Sequence, residues 1–346
     1  MSAETRLGIR CLSKLTMSRG AAGERFVSAL PKLFGVAVLA LVISSGGVAS
    51  GQISTSARLR AASTFAQAKD AYERQAYSEA VALCEAAIQD DPSLRQAYFF
   101  LANSYDNLQS NRRTNDPATA AALTRAAHYY LIAADKLTAS DAPQDKLLGR
   151  LALEYLAAVY GPQKLNDPEK ARAAAERMIA LDPANVANYA VLARSYEDVG
   201  DYDAAERTLL LAKQANPLDP AAYMTLAGFY NRQGQFDKTI AALEERASIE
   251  QTNPEAFYTI ATYYWDKAYR DFKLSDASKQ TMVAKGLENI DRALQLEPSY
   301  SEAIVYKNLL LRLQANLERD PRRQQELIRE ADELRDRANH LRRRPR

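Results

Sequence analysis

The side chains that most often carry chemistry are scarce in this chain of 346 residues: two cysteines, Cys11 and Cys84, and two histidines, His128 and His340. Two of each, far apart, read as neither a four-ligand zinc site nor a disulfide scaffold, so no metal is expected. His128 sits beside Tyr129 and Tyr130 with no acid or nucleophile at a readable spacing, which makes it an ordinary helix histidine. His340 lies among arginines and reads as surface, and Cys84, between Ala80 and Ala87 at an apolar slot, reads as a small buried hydrophobe. Paired carboxylates such as Asp90-Asp91 and Glu244-Glu245 fall where helix faces or ends meet solvent. No glycine-rich phosphate loop, Gly-x-Ser-x-Gly elbow or His-Glu-x-x-His helix occurs. The expectation is a protein without catalytic residues or cofactor.

Charge and targeting signals narrow the class further. With 45 basic and 43 acidic residues the chain lacks the basic excess of a nucleic-acid binder. The C-terminal run Leu341-Arg342-Arg343-Arg344-Pro345-Arg346 is basic and reads as a solvated tail. Leu33 to Ile43 is an unbroken apolar run of 11 residues, preceded by Arg19, Arg25 and Lys32 and followed by small residues. That length suits a signal-peptide core better than a bilayer span. Residues 1–51 are therefore predicted to be a secretory signal, with Met17 as an alternative start, cleavage near Ser50 or Gly51, and a linker over 52–60. Cleavage would leave 39 basic against 41 acidic residues, so the small basic excess belongs to the leader. An uncleaved signal anchor is the alternative.

The elements that would position any binding residues come from an internal repeat. Tyr189-Leu192-Ala193-Tyr196, Tyr223-Leu226-Ala227-Tyr230 and Phe257-Ile260-Ala261-Tyr264 follow one another at steps of 34 residues, and Tyr98-Leu101-Ala102-Tyr105 keeps the same internal spacing. Separations of three and four place these side chains on one face of a first helix. Gly200-Asp201-Tyr202 and Gly234-Gln235-Phe236 read as turns into a second helix, and Asp91-Pro92, Asp182-Pro183, Asn216-Pro217 and Glu297-Pro298 end the second helices.

This pattern resembles the tetratricopeptide repeat family. The unit from Val186 carries the family's slots throughout, in Tyr189, Leu192, Ala193, Tyr196, Gly200, Tyr202, Ala205, Leu209, Ala212 and Pro217. The next unit departs at Thr239 and Arg246, and the first, from Ala61, is weak in its first helix. The resemblance covers residues 61–346, with units starting near 61, 95, 150, 186, 220, 254 and 301. About 21 extra residues are expected around Gln109 to Thr124, about two near Gly161-Pro162, and about 13 after Pro254, where the first helix is read as running on through Phe272. The resemblance implies an all-α, right-handed superhelical solenoid of about seven antiparallel helix pairs, first helices on the concave side, closed by a charged C-terminal capping helix with Leu327, Ala331, Leu334, Ala338 and Leu341 on its apolar face.

By the same resemblance, binding residues are those of the first helices that face the groove: Phe99, Asn103 and Asp106; Arg194; Met224, Asn231 and Arg232; Tyr258, Thr262 and Trp265. Open aromatics and methionine beside hydrogen-bonding groups suit a peptide or protein segment. Trp265, the only tryptophan, is the candidate anchor, with packing through Phe272 as the competing reading. The lysine and asparagine clamp by which some relatives hold C-terminal carboxylates is missing, since Phe99 with Asn103, Ala190 with Arg194 and Met224 with Gly228 occupy its slots. The sequence thus predicts an interaction scaffold, periplasmic or secreted, with a protein partner, no nucleic acid, and membrane contact only through the leader. An inner-membrane-anchored assembly factor and a binder of an envelope polymer are the alternatives.

Overall fold

A computed structural model describes residues 53–109 and 116–343; the predicted leader lies outside them. The described residues hold fourteen α-helices and no strand. They are α1 (Thr55–Glu73), α2 (Tyr77–Asp90), α3 (Arg95–Asn107), α4 (Pro117–Thr138), α5 (Pro143–Val159), α6 (Pro168–Leu181), α7 (Val186–Asp198), α8 (Tyr202–Ala215), α9 (Pro220–Arg232), α10 (Phe236–Ile249), α11 (Pro254–Arg270), α12 (Asp276–Leu296), α13 (Ser301–Leu317) and α14 (Pro321–Arg343). Each packs on its neighbours in sequence, giving seven antiparallel pairs stacked as a solenoid.

Local chemistry explains where the helices begin. Asp116, Asp167, Asn185, Asp201, Asp219, Asn253 and Ser275 each accept a hydrogen bond from a first-turn backbone N–H. Pro117, Pro143, Pro168, Pro220 and Pro254 open their helices, where the missing N–H costs nothing. The turn into a second helix needs a left-handed residue two places before it. Gly200 (φ 81°) and Gly234 (φ 70°) supply it, and Gln75 (φ 61°) and Asn166 (φ 51°) take the same conformation in the first and third pairs.

The small residues are buried where helices approach: Ala68, Ala102, Ala193, Ala227 and Ala261 are at most 1% exposed. A Cβ on Gly149 would stand 2.7 Å from Thr138 Cγ2 and 2.9 Å from the Thr138 backbone nitrogen, so α4 and α5 cross there at glycine distance. One cluster centred on Tyr130, Leu101 and Leu153 fills the first three pairs, and another centred on Phe229, Leu243 and Ile260 fills the fourth to sixth. Tyrosines tie the turns between pairs: the hydroxyls of Tyr98, Tyr189 and Tyr223 donate to the carbonyls of Pro92, Pro183 and Pro217 at 3.2, 2.9 and 2.8 Å.

First helices of consecutive pairs touch directly in α1–α3, α3–α5, α7–α9 and α11–α13, whereas consecutive second helices barely meet. A stack pinched along its first helices is curved with those helices inside, so they line the groove. The extra residues are distributed differently from the expectation. α5 begins at Pro143, about two turns ahead of Arg150, with Leu148 buried in the added part, and the second excess becomes the turn Tyr160–Asp167. α11 stops at Arg270 instead of running through Phe272, since Asp271 turns extended, and the remaining insertion lengthens α12. α14 buries Leu327, Ala331 and Ala338 against α13 and keeps its charged face in water.

Candidate functional site

The groove changes character along its length. At its N-terminal end the expected residues Phe99 and Asn103 are buried, not open. Phe99 is 5% exposed, stacked on Tyr155 (6.0 Å) and edge-on to Phe100 and Tyr130. Asn103, also 5% exposed, accepts from the Tyr72 hydroxyl at 2.9 Å and from the Asn107 amide at 2.5 Å. The reason is that α3, α4 and α5 carry rings towards one point, and a phenylalanine set among three other rings is worth more packed than wetted. Burial raises the Tyr72, Tyr130 and Tyr155 hydroxyls above the ordinary phenol range, Tyr130 well above it. Asp106 stays partly open and pairs with Lys164, from the turn after α5, at 2.5 Å.

Beyond α5 the floor is open and charged. Arg194 on α7 is exposed and pairs with Asp198 at 3.1 Å. Arg232 on α9 reaches across to Glu197 with two N–H···O bonds, at 2.7 and 2.9 Å. Glu197, 7% exposed as a side chain, thus lies beneath two guanidinium groups and holds α7 to α9. Asn231 is exposed beside it. Met224 is half-buried with Arg246 Nη1 3.0 Å from its sulfur.

On α11, Tyr258 and Thr262 are half-buried, and Thr262 donates its hydroxyl hydrogen back to the Thr259 carbonyl. Trp265, the expected anchor, is 6% exposed: Tyr269 stacks on it at 5.0 Å and Tyr306 of α13 meets it edge-on at 5.6 Å. It does pack within the fold, but not through Phe272, which is 89% exposed beyond the end of α11. Tyr306 also meets Tyr258, so α11 and α13 share one aromatic contact under the groove.

Two groove residues escaped the sequence reading. Glu197 lies one helical turn past Arg194, in the slot that picked out Asp106, Asn231 and Trp265 in the other units, so the register alone could have named it. Glu154 occupies on α5 the slot that Phe99, Met224 and Tyr258 fill elsewhere. It is open to solvent yet hemmed in enough that desolvation raises its carboxyl above the ordinary range, the behaviour of a group in a concavity.

Nothing in the groove pairs a nucleophile with a base. His128 is exposed against Tyr129, and Cys84 is fully buried with its thiol pushed up to about 12 by desolvation. Among the described residues no three His, Cys, Asp or Glu side chains group as metal ligands, and no helix is long and apolar enough to cross a membrane.

The comparisons agree with this architecture. Residues 164–227 match the family model described as tetratricopeptide repeat. No curated protein matches. Among solved structures, the C-terminal part of a TPR repeat-containing protein from Cytophaga hutchinsonii superposes with a TM-score of 0.51 at 12% identity, over 80% of this chain and 98% of that one. A tetratricopeptide repeat protein from Parabacteroides merdae (14% identity, 79% and 99% covered, TM-score 0.42) and PilW, a type IV pilus biogenesis factor (18%, 75% and 98%, TM-score 0.39), are more distant in shape. At these identities the likeness is one of fold. Residues 164–227 therefore match tetratricopeptide repeats in sequence, and antiparallel helix pairs of the same fold continue on either side.

Proposed function

We propose that this protein is a non-enzymatic scaffold that holds an extended or helical segment of a partner protein along its groove, between α7 and α11. The observation that carries the reading is the row Arg194, Met224, Asn231, Arg232, Tyr258 and Thr262. These side chains stand open or half-open on three consecutive first helices, over a floor closed by buried Glu197 and Trp265. Such a surface offers apolar contact, fixed charge and amide hydrogen bonding in one strip, which suits a polypeptide better than a small molecule. The tetratricopeptide fold is one that mediates protein interaction, which supports the class of partner.

The test is a photoreactive residue placed at Asn231 and, separately, at Leu211, which is 54% exposed on the second helix α8. Adducts formed in the native host from position 231 and not from 211 are expected. Equal labelling from both positions would sink the groove reading.

We further propose that the protein is exported and works in the envelope. The support is the apolar run Leu33 to Ile43 with its basic and small-residue flanks. Intact mass of the protein from its host is expected to begin near Gly51 or Gln52; a retained leader would instead favour the anchored form.

A further inference from the structure

The second tyrosine slot of the repeat carries a cation over its ring in five units, at Tyr105, Tyr160, Tyr196, Tyr230 and Tyr264, and a carboxylate on its hydroxyl in two, at Tyr105 and Tyr230. In the fifth pair, Tyr230 donates its hydroxyl hydrogen to Glu206 of α8 at 2.9 Å, and Lys238 of α10 binds the same oxygen at 2.9 Å while lying over the Tyr230 ring. The Glu206–Lys238 pair bridges α8 and α10 above the ring. Tyr105 has Glu85 at 2.7 Å and Arg125 over its ring, and Tyr160 has Lys170 over its ring, paired to Asp167 at 2.8 Å.

The sixth pair has the tyrosine and the cation but not the bridging carboxylate. Tyr264 takes the ring position, and Lys285 of α12 lies over it at 5.8 Å. The place of Glu206, 34 residues on, is Ile240. Lys285 forms no ion pair among the described residues. Tyr264 is 3% exposed, and its hydroxyl takes no hydrogen-bond partner there. With the bridge missing, a cleft of about 200 Å³ stands open between α10 and α12, floored by Tyr264 and walled by Phe236, Ile240 and Met282.

The charge around this cleft favours one sign. Asp237 and Glu244 line the α10 rim and form no ion pair among the described residues. Together with Glu288 they hold the Tyr264 hydroxyl proton more tightly, alongside the larger effect of burial. Lys267, over the Phe236 ring, is already neutralised by Asp271 at 2.8 Å, so among the described residues three carboxylates face the one unpaired ammonium of Lys285, and over the apolar walls they make a local field that attracts a cation. The cleft's length and apolar wall match an alkyl stem ending in a charge.

We propose that the cleft between α10 and α12 binds a lysine or arginine side chain of a partner protein. The stem lies against Phe236, Ile240 and Met282, and the charged end sits between Asp237, Glu244 and the Tyr264 hydroxyl oxygen. This site lies between second helices, apart from the first-helix groove, and does not depend on what the groove holds. It gives the scaffold a second contact, selective for a basic segment.

The test titrates the full-length protein by calorimetry with a blocked pentalysine peptide and, in parallel, a blocked pentaglutamate peptide at low ionic strength. Saturable binding of pentalysine is expected, weakened at least tenfold by the double substitution Asp237→Asn with Glu244→Gln and about threefold by Tyr264→Phe. The asparagine and glutamine variant changes exposed rims only, and its circular dichroism and melting should match the parent. Equal binding of pentalysine by parent and double variant, absence of saturable binding, or preference for pentaglutamate would each overturn the proposal.

Discussion

The two ends of the groove solve the same register differently. In the slot that Phe99, Glu154, Met224 and Tyr258 share, the N-terminal residue has been absorbed into an aromatic core, while the later ones remain at the surface. A slot of the repeat thus does not by itself define a binding residue. What decides is how many rings the neighbours bring to the same point: Phe100, Tyr130 of α4 and Tyr155 of α5 surround Phe99, whereas Met224 meets one guanidinium.

That contrast can be broken by truncation. Phe99→Ala is expected to cost about 3–5 kcal/mol of unfolding free energy, against about 1 kcal/mol for Met224→Ala, both read from denaturant melts. Equal costs would erase the distinction between a filled and an open end. A smaller effect tests the polar part of the filled end. Asn103→Ala strands the buried Tyr72 hydroxyl and should cost about 1–3 kcal/mol, with Tyr72→Phe in the same background recovering part of the loss. No recovery would show that the hydrogen bond is incidental to the packing.

The smallest effect concerns Glu154, where the filled end meets the open one. Its carboxyl is raised by desolvation in the folded protein. Folded and unfolded chains therefore bind protons alike at low pH, and the fold loses stability as pH rises through the carboxylate range and above it. Glu154→Gln should raise the melting temperature by a degree or two at pH 7 and leave it unchanged at pH 3. A rise of the same size at both values would mean that the gain is not electrostatic.

Much of the architecture was legible because it follows from periodicity: the 34-residue steps, the buried alanines and the terminating prolines all report a backbone plan that local chemistry enforces. The left-handed turns at Gly200 and Gly234 could be read for the same reason, while those at Gln75 and Asn166 could not, since neither residue announces a positive φ. That α5 begins at Pro143, ahead of the register read from Arg150, was not legible, because its contact with α4 depends on Gly149, a single residue with no periodic signal. The open groove residues were least legible. Register picks a face, but whether Phe99 or Trp265 stays on that face depends on rings contributed from distant helices, Tyr155 and Tyr306 among them, which no local pattern connects.

The tyrosine hydroxyls that grip proline carbonyls have a mechanical consequence. Each such bond crosses the joint from one pair to the next and resists twist there, so Tyr98, Tyr189 and Tyr223 stiffen three joints of the stack. At the entry to the sixth pair the same place holds Phe257, a ring without a hydroxyl, and the preceding turn has Gln251 where the others have proline. That joint, like those entered at Leu153 and Ile304, lacks the bond and is freer to twist than the three that carry it.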